Sequence, residues 1–145
     1  MNVMIACRAG AQGQGARLCA ALRDALRVRG MRVFIDHYDD AVLAANPELK
    51  RRADAALRQA ENCEKIILGT CNGHLFRGQL ALAEALAAAG KPMAVAALRS
   101  PYDLSRLPET VWKLAAYDYA VPAFRALEDI FRGGKATGVC PVKLL

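Results

Sequence analysis

Two kinds of segment alternate along the chain, according to the spacing of apolar and polar residues. Short apolar runs predict β-strands at 2–7, 32–36, 65–70, 93–98 and 112–118, with a short last strand near 140–144. Between them, apolar residues recur every three or four positions, which predicts helices over 14–29, 47–61, 75–89 and 122–132. Strands that alternate with helices mostly run parallel and are covered on both faces. The pattern therefore predicts an α/β protein, a three-layer sandwich around a mostly parallel sheet of about six strands.

Proline and glycine mark the ends of the predicted helices. Pro47 and Pro122 fall in first turns, where the missing N–H group costs no hydrogen bond. Gly30, Gly90 and Gly133 follow helices at positions that favour a left-handed stop. No linker or repeat interrupts the alternation, so we expect one domain over residues 1–145 with flavodoxin-like layering.

Composition narrows the class of protein. The chain has 145 residues, of which 54% are hydrophobic and 23% charged, enough for one domain with its own core. No apolar stretch approaches the roughly 20 residues of a membrane span, and the N-terminus does not resemble a signal peptide. We therefore expect a cytoplasmic protein without a membrane partner. Five cysteines without a CxxC pair indicate reduced thiols and neither disulfides nor a metal site.

The net charge of +6 raises the question of nucleic-acid binding. The arginines are spread over several predicted helices, and aromatic residues are not interleaved with them as in single-strand binders. We therefore expect a solvated basic surface and no nucleic-acid partner.

The glycine-rich stretch "CRAGAQGQGARL", residues 7–18, follows the first predicted strand as a nucleotide-binding turn would. If Gly13 and Gly15 are the first two glycines of the dinucleotide fingerprint, Leu18 occupies the place of the third small residue. Read instead as a phosphate loop, the stretch has Ala16-Arg17 in place of Lys-Ser/Thr. Both motifs fail, so we expect no cofactor. What remains is a weak anion site formed by Arg8, Gly13 and Gly15 at a helix N-terminus.

Polar residues also follow the third and fourth predicted strands. Because ligands bind at the carboxyl ends of parallel strands, we expect Asn72, His74, Arg99 and Asp103 to lie near one another, facing a ligand or another domain. Each has a purely conformational alternative. Asn72 would make a turn, Asp103 would accept a backbone N–H at a short helical turn, and Arg99 would pair with Asp103 or Asp118. Three-residue spacing alone does not make Cys71 and His74 a catalytic pair.

Residues 68–144 closely resemble the C-terminal domain of glycoside hydrolase family 3, in particular its β-N-acetylhexosaminidase branch. The motifs that carry the resemblance occur in order: Asn72 and His74 after a strand, Gly78-Gln79, Gly90-Lys91-Pro92, "ALRSPYDL", "LAAYDY" and a closing Gly-x-x-Pro-Val. The first half of the chain agrees with this domain in the order of elements only.

The resemblance implies a role without catalysis. In these enzymes the nucleophilic aspartate, and in this branch the acid/base His–Asp pair, lie on a (β/α)8 barrel for which this chain has no room. It implies that the chain packs on a catalytic barrel of the same or a separate chain, with an amino-sugar substrate at the cleft between them. Two alternatives stay open. One is a stand-alone flavodoxin-like module that binds a small anion through Arg8, the glycine loop and Arg99, and the other is a homo-oligomeric structural domain.

Overall fold

The fold is organised around a parallel sheet. The computed structural model describes residues 2–8, 20, 22–24, 29–35, 44–118 and 120–144. Within them, five strands form one sheet in the order β2-β1-β3-β4-β5. The strands are β1 (Asn2–Arg8), β2 (Arg29–Ile35), β3 (Lys65–Thr70), β4 (Met93–Ala97) and β5 (Trp112–Ala115). Three helices are described over their whole length, α1 (Pro47–Glu61), α2 (Gly78–Ala87) and α3 (Val121–Phe131), and a 3-10 turn spans Pro101–Leu104. In the predicted helix 14–29, residues 20 and 22–24 are helical, and residues 14–19, 21 and 25–28 lie outside the described residues. The predicted α/β class with a parallel sheet is confirmed.

Two apolar clusters lie on the two faces of the sheet. In β3, Ile66 and Leu68 belong to the first cluster, with residues of α1 and α2, whereas Ile67 belongs to the second, with residues of α3. Every residue of β3 after Lys65 and every residue of β4 is buried. Central strands covered on both faces read as continuous apolar runs, which is why the sequence pattern located them accurately.

Proline and glycine lie at the helix ends as predicted, except at Gly30. The predicted helix 75–89 is shorter, Gly78–Ala87, because the N–H groups of Leu75 and Phe76 donate to Asn72 in a turn before it. Pro47 is the first residue of α1, and Pro122 lies in the first turn of α3. Gly90 and Gly133 adopt left-handed φ values of 72° and 101°. Gly30, however, lies in β2 opposite Val3, because β2 begins at Arg29 rather than at residue 32. Pairing along all seven residues of β1 satisfies backbone groups that a helix stop would leave unpaired.

The end of the chain departs from the prediction. Residues 140–144 form no strand, so the part of the chain that the structure describes has five strands and not six. Pro141 lacks the N–H that a sheet ladder needs, and Val139 before it is 90% exposed. The predicted strand 112–118 also ends early, at Ala115, and Tyr117 has a φ of 61° that does not fit a strand.

The helices that the structure describes include none long and apolar enough to span a membrane.

Candidate functional site

The carboxyl ends of β3 and β4 bring two loops to one edge of the sheet. Thr70 is level with Ala97, and the N–H of Leu98 donates to the carbonyl oxygen of Thr70 at 2.9 Å. The segments that follow, residues 71–77 and 98–107, therefore leave the sheet side by side. We call them the carboxyl-edge loops. They contain Asn72, His74, Arg99 and Asp103, so the four candidates share one edge as predicted from parallel pairing.

Asp103 is the centre of a buried hydrogen-bond network. Its side chain is fully buried, and its two carboxylate oxygens accept three hydrogen bonds. The Thr70 hydroxyl donates to Oδ2 at 2.8 Å. The backbone N–H of His74 donates to Oδ1 at 2.9 Å, and Nδ1 of the same residue lies 2.8 Å from that oxygen. Two of the predicted site residues, His74 and Asp103, are thus in direct contact.

The loop after β3 is shaped to wrap around this carboxylate. Asn72 adopts a left-handed φ of 54°, and its carbonyl oxygen accepts the N–H groups of Leu75 and Phe76. Gly73 then passes so close that a Cβ atom there would lie 3.3 Å from Asp103 Cγ and 3.3 Å from a methyl carbon of Leu80. Asparagine tolerates the left-handed region, and glycine allows the close approach. The turn predicted at Asn72-Gly73 therefore serves to enclose Asp103.

A second buried amide fixes the same loop to α2. The Gln79 side chain is 5% exposed, donates from Nε2 to the carbonyl oxygen of Cys71 at 3.0 Å, and accepts from the N–H of Cys71 through Oε1 at 2.9 Å. Sequence reasoning missed the roles of Gln79 and Thr70. The available signal was a polar residue at a strand end and another at a helix start, both among apolar neighbours.

The interpretation of Asp103 as a cap needs correction. Asp103 does accept a backbone N–H, but from His74, 29 residues earlier, and its own 3-10 turn has no side-chain cap. The predicted ion pair of Arg99 with Asp103 is wrong, because the carboxylate is enclosed by Thr70 and His74. The Arg99 side chain is exposed and has no hydrogen bond or ion pair with a described residue.

The candidates for the weak anion site are tested only in part. Arg8 is the last residue of β1, next to β3, so its backbone lies at the same edge. The Arg8 side chain, together with Gly13 and Gly15, lies outside what the structure describes. That site stays a prediction.

The contact with Asp103 defines the chemistry of His74. A carboxylate oxygen can only accept, so Nδ1 carries a hydrogen, and in the neutral imidazole Nε2 is then an acceptor. The side chain is 32% exposed, and its ring centroid lies 6.3 Å from that of Tyr102, at an interplanar angle of 59°. Among the described residues, no cluster of three or more His, Cys, Asp or Glu side chains could hold a metal ion.

The surface around His74 is basic and partly apolar. The carboxyl-edge loops carry three exposed arginines, Arg77, Arg99 and Arg106, while their one acidic residue, Asp103, is buried. Leu75 is 66% exposed and Tyr102 50%.

Similarity to known proteins is found at the level of structure. No protein-family model and no curated protein sequence matches the chain. A glycoside hydrolase family 3 β-N-acetylglucosaminidase from Paenibacillus sp. str. FPU-7 matches with a TM-score of 0.73 and 22% identity, over 93% of this chain and 26% of that chain. The chain shares its fold with one part of such an enzyme.

A second solved structure gives the same result. It is a fungal multi-domain family 3 β-N-acetylglucosaminidase, described as having a GCN5-related glucosamine N-acetyltransferase region, and it matches with a TM-score of 0.66 and 22% identity. The alignment covers 91% of this chain and 14% of the fungal one. The chain thus spans about a quarter and about a seventh of the two enzymes.

Proposed function

We propose that the chain is the non-catalytic companion domain of a β-N-acetylglucosaminidase-like glycoside hydrolase and packs on a catalytic barrel that these 145 residues do not contain. The observation that carries the proposal is the extent of the match, since 93% of the chain aligns with only 26% of the Paenibacillus enzyme. The remaining three quarters of such an enzyme would supply the reaction. The motifs in residues 68–144 support the same assignment independently of the structure.

The chemistry of the carboxyl-edge loops supports a role without catalysis. Cleavage of a glycosidic bond requires two carboxyl groups on opposite sides of that bond, about 5–10 Å apart. The loops contain one carboxyl group, that of Asp103, and it is fully buried and engaged by Thr70 and His74. In the assembled enzyme, an amino sugar would occupy the cleft between this edge and the barrel.

The layering that we propose for the whole chain is flavodoxin-like. The order β2-β1-β3-β4-β5 is that of the flavodoxin-like doubly wound sheets. The apolar clusters of the described residues occupy both faces of the sheet, which supports the same layering.

The companion-domain proposal is tested by asking whether the native protein carries, or is bound to, a catalytic barrel. An antibody against the purified chain is used to precipitate the native protein from the cells that make it, and the precipitate is assayed on an aryl N-acetyl-β-glucosaminide. We expect hydrolysis, carried either by a longer polypeptide that includes this chain or by a separate barrel chain bound to it. The recombinant 145-residue chain, prepared from unrelated cells, is the control and stays at background. A native polypeptide of 145 residues that brings down no such activity would overturn the proposal.

A further inference from the structure

A cavity of about 410 Å³ opens at the amino edge of the sheet, the edge opposite the carboxyl-edge loops. The first residues of β3, β4 and β5 line it, together with β1 and the last residue of α3. We call it the amino-edge cavity, and its lining includes Val3, Lys65, Ile67, Ala94, Trp112 and Phe131. A volume of this size is typical of sites for small organic molecules.

A small residue in the middle of the sheet accounts for the open space. Ile67, Ala94 and Trp112 are paired in one row across β3, β4 and β5. Lys65 lies two residues before Ile67, so its side chain is on the same face of the sheet. Ala94 is 6% exposed, and its single methyl group leaves room that a larger side chain would fill. The cavity is therefore bounded by Ile67 on one side of Ala94 and by the Trp112 ring on the other.

Two aromatic rings form one wall of the amino-edge cavity. The ring centroids of Trp112 and Phe131 lie 5.6 Å apart at an interplanar angle of 89°, which is an edge-to-face contact. Trp112 is nevertheless 50% exposed, so much of its ring remains uncovered. Aromatic rings gain more from edge-to-face and offset contacts with one another than their buried area alone provides. The wall favours a ligand with a flat aromatic ring.

The charge at the cavity favours an anion. Lys65 is the one charged side chain among the described residues that line the space. It is exposed, and its ammonium group has no hydrogen bond or ion pair with a described residue. Thr110 adds a hydroxyl group to the lining, whereas Glu64, next to Lys65 in sequence, is not part of it. A carboxylate can accept hydrogen bonds from both the ammonium group and the hydroxyl.

We propose that the amino-edge cavity binds a small aromatic carboxylate, with its ring against Ala94 and the Trp112–Phe131 pair and its carboxylate at Lys65. Ligand sites commonly combine apolar and aromatic walls with a few polar groups that fix the orientation. The proposal goes beyond the companion-domain assignment and does not rest on it, because the cavity and the carboxyl-edge loops lie at opposite ends of the strands.

The chain contains its own probe for this site, because Trp112 is its one tryptophan. Phenylpropionate is added to tens of millimolar while the tryptophan fluorescence is recorded. We expect a saturable change with a dissociation constant on the order of 1 mM, as for a good ligand of this size. The neutral amide, phenylpropionamide, should bind about two- to fivefold more weakly, because it lacks the charge that faces Lys65. Cyclohexylpropionate should bind about twofold or more weakly, because its ring is saturated.

Lys65→Met tests the role of the charge. Methionine keeps most of the length and the apolar stem of lysine but has no ammonium group. We expect this variant to bind phenylpropionate and phenylpropionamide equally well. Because Lys65 is exposed and has no bonded partner among the described residues, its thermal midpoint should match that of the parent.

Ala94→Leu tests the cavity itself, because the larger side chain would occupy the space. We expect this variant to lose the fluorescence response to phenylpropionate while its thermal midpoint does not fall, as for substitutions that fill a cavity. Ala96→Leu is the matched control in the same strand. Ala96 is fully buried in the second apolar cluster and is not part of the cavity lining, so leucine there should overpack the core and lower the midpoint.

Four results would each overturn the proposal. The first is no saturable response of Trp112 to phenylpropionate, as expected if side chains of a partner protein fill this space. The second is equal binding of the acid and its amide by the parent, and the third is unchanged binding by Ala94→Leu. The fourth is a midpoint of Ala94→Leu as low as that of Ala96→Leu, which would mean that there is no cavity to fill.

Discussion

Asp103 Oδ1 and His74 Nδ1 lie 2.8 Å apart, although 29 residues separate them in the sequence. The contact ties the 3-10 turn after β4 to the loop after β3, two segments that neighbouring parallel strands deliver to one edge. Because the carboxylate is fully buried, its three hydrogen bonds are what make its burial tolerable. Both the stability of this edge and the orientation of the imidazole depend on one acidic side chain.

Asp103→Ala tests the contribution of this network to stability. The substitution leaves the Thr70 hydroxyl, the His74 N–H and Nδ1 without their acceptor, so we expect the free energy of unfolding to fall by about 2–4 kcal/mol. Urea denaturation followed by circular dichroism measures the change. Arg99→Ala, on the same edge but exposed and without a bonded partner among the described residues, should stay within about 0.5 kcal/mol of the parent. Equal losses in the two variants would contradict the network.

Gly73→Ala tests the close packing of the loop on Asp103. The new methyl group would meet Asp103 Cγ and a Leu80 methyl at 3.3 Å, and the carboxylate cannot retreat because its oxygens are bonded on both sides. We expect a loss of about 1–3 kcal/mol, typical of an overpacked site, in the same denaturation measurement. Gly138→Ala is the matched control, since nothing lies within 4 Å of its Cβ position. A neutral Gly73→Ala would show that the loop is looser than described.

The central strands and the shared edge could be predicted from sequence for one physical reason. Strands buried on both faces are continuous apolar runs, and parallel pairing sends their carboxyl ends to the same side. Thus β3 was predicted at its observed limits, and the loops containing His74 and Asp103 were expected side by side. Neither conclusion needed the conformation of any side chain.

The partners of Asp103 could not be predicted in the same way. Local sequence favoured a cap by Asp103 within its own turn. The observed hydrogen-bond donors lie some thirty residues away in the sequence. They reach Asp103 because Asn72 adopts a left-handed φ and Gly73 has no side chain to block the approach. The prediction of a last strand near 140–144 was wrong for a related reason. Apolar residues near 140–144 fit a strand by composition, but Pro141 cannot donate to a ladder.

Substitutions at Asn72 test whether its left-handed conformation holds the loop in place. Asn72→Val places a β-branched side chain at a φ of 54°, where it is sterically disfavoured, so we expect a loss of about 1–2 kcal/mol. Asn72→Gly removes the steric conflict and should be within about 0.5 kcal/mol of the parent. Thermal unfolding of the two variants in parallel provides the comparison. If valine and glycine have the same midpoint, the loop has another conformation at this residue.

The pH dependence of stability has a defined contribution from Cys63. Its thiol is 3% exposed and donates to the carbonyl oxygen of Gln59 at 3.3 Å. Burial raises the pKa of Cys63 above its ordinary value of 9.0, and the Lys91 ammonium group opposes this shift to a lesser degree. The folded state therefore holds the proton where the unfolded state has begun to release it. The stability that comes from the neutral thiol is fully present below the unfolded pKa and is lost as pH rises through the folded pKa.

Cys63→Ala isolates that contribution, since alanine keeps the site apolar and does not titrate. We expect the variant to be less stable at neutral pH because a cavity replaces the sulfur. The free-energy cost of that cavity does not itself depend on pH. From about pH 8 to about pH 10, the parent should lose more stability than the variant, so the difference between their free energies of unfolding narrows. Urea denaturation at a series of pH values gives both curves. A difference that stays constant or widens would mean that the folded state does not favour the neutral thiol.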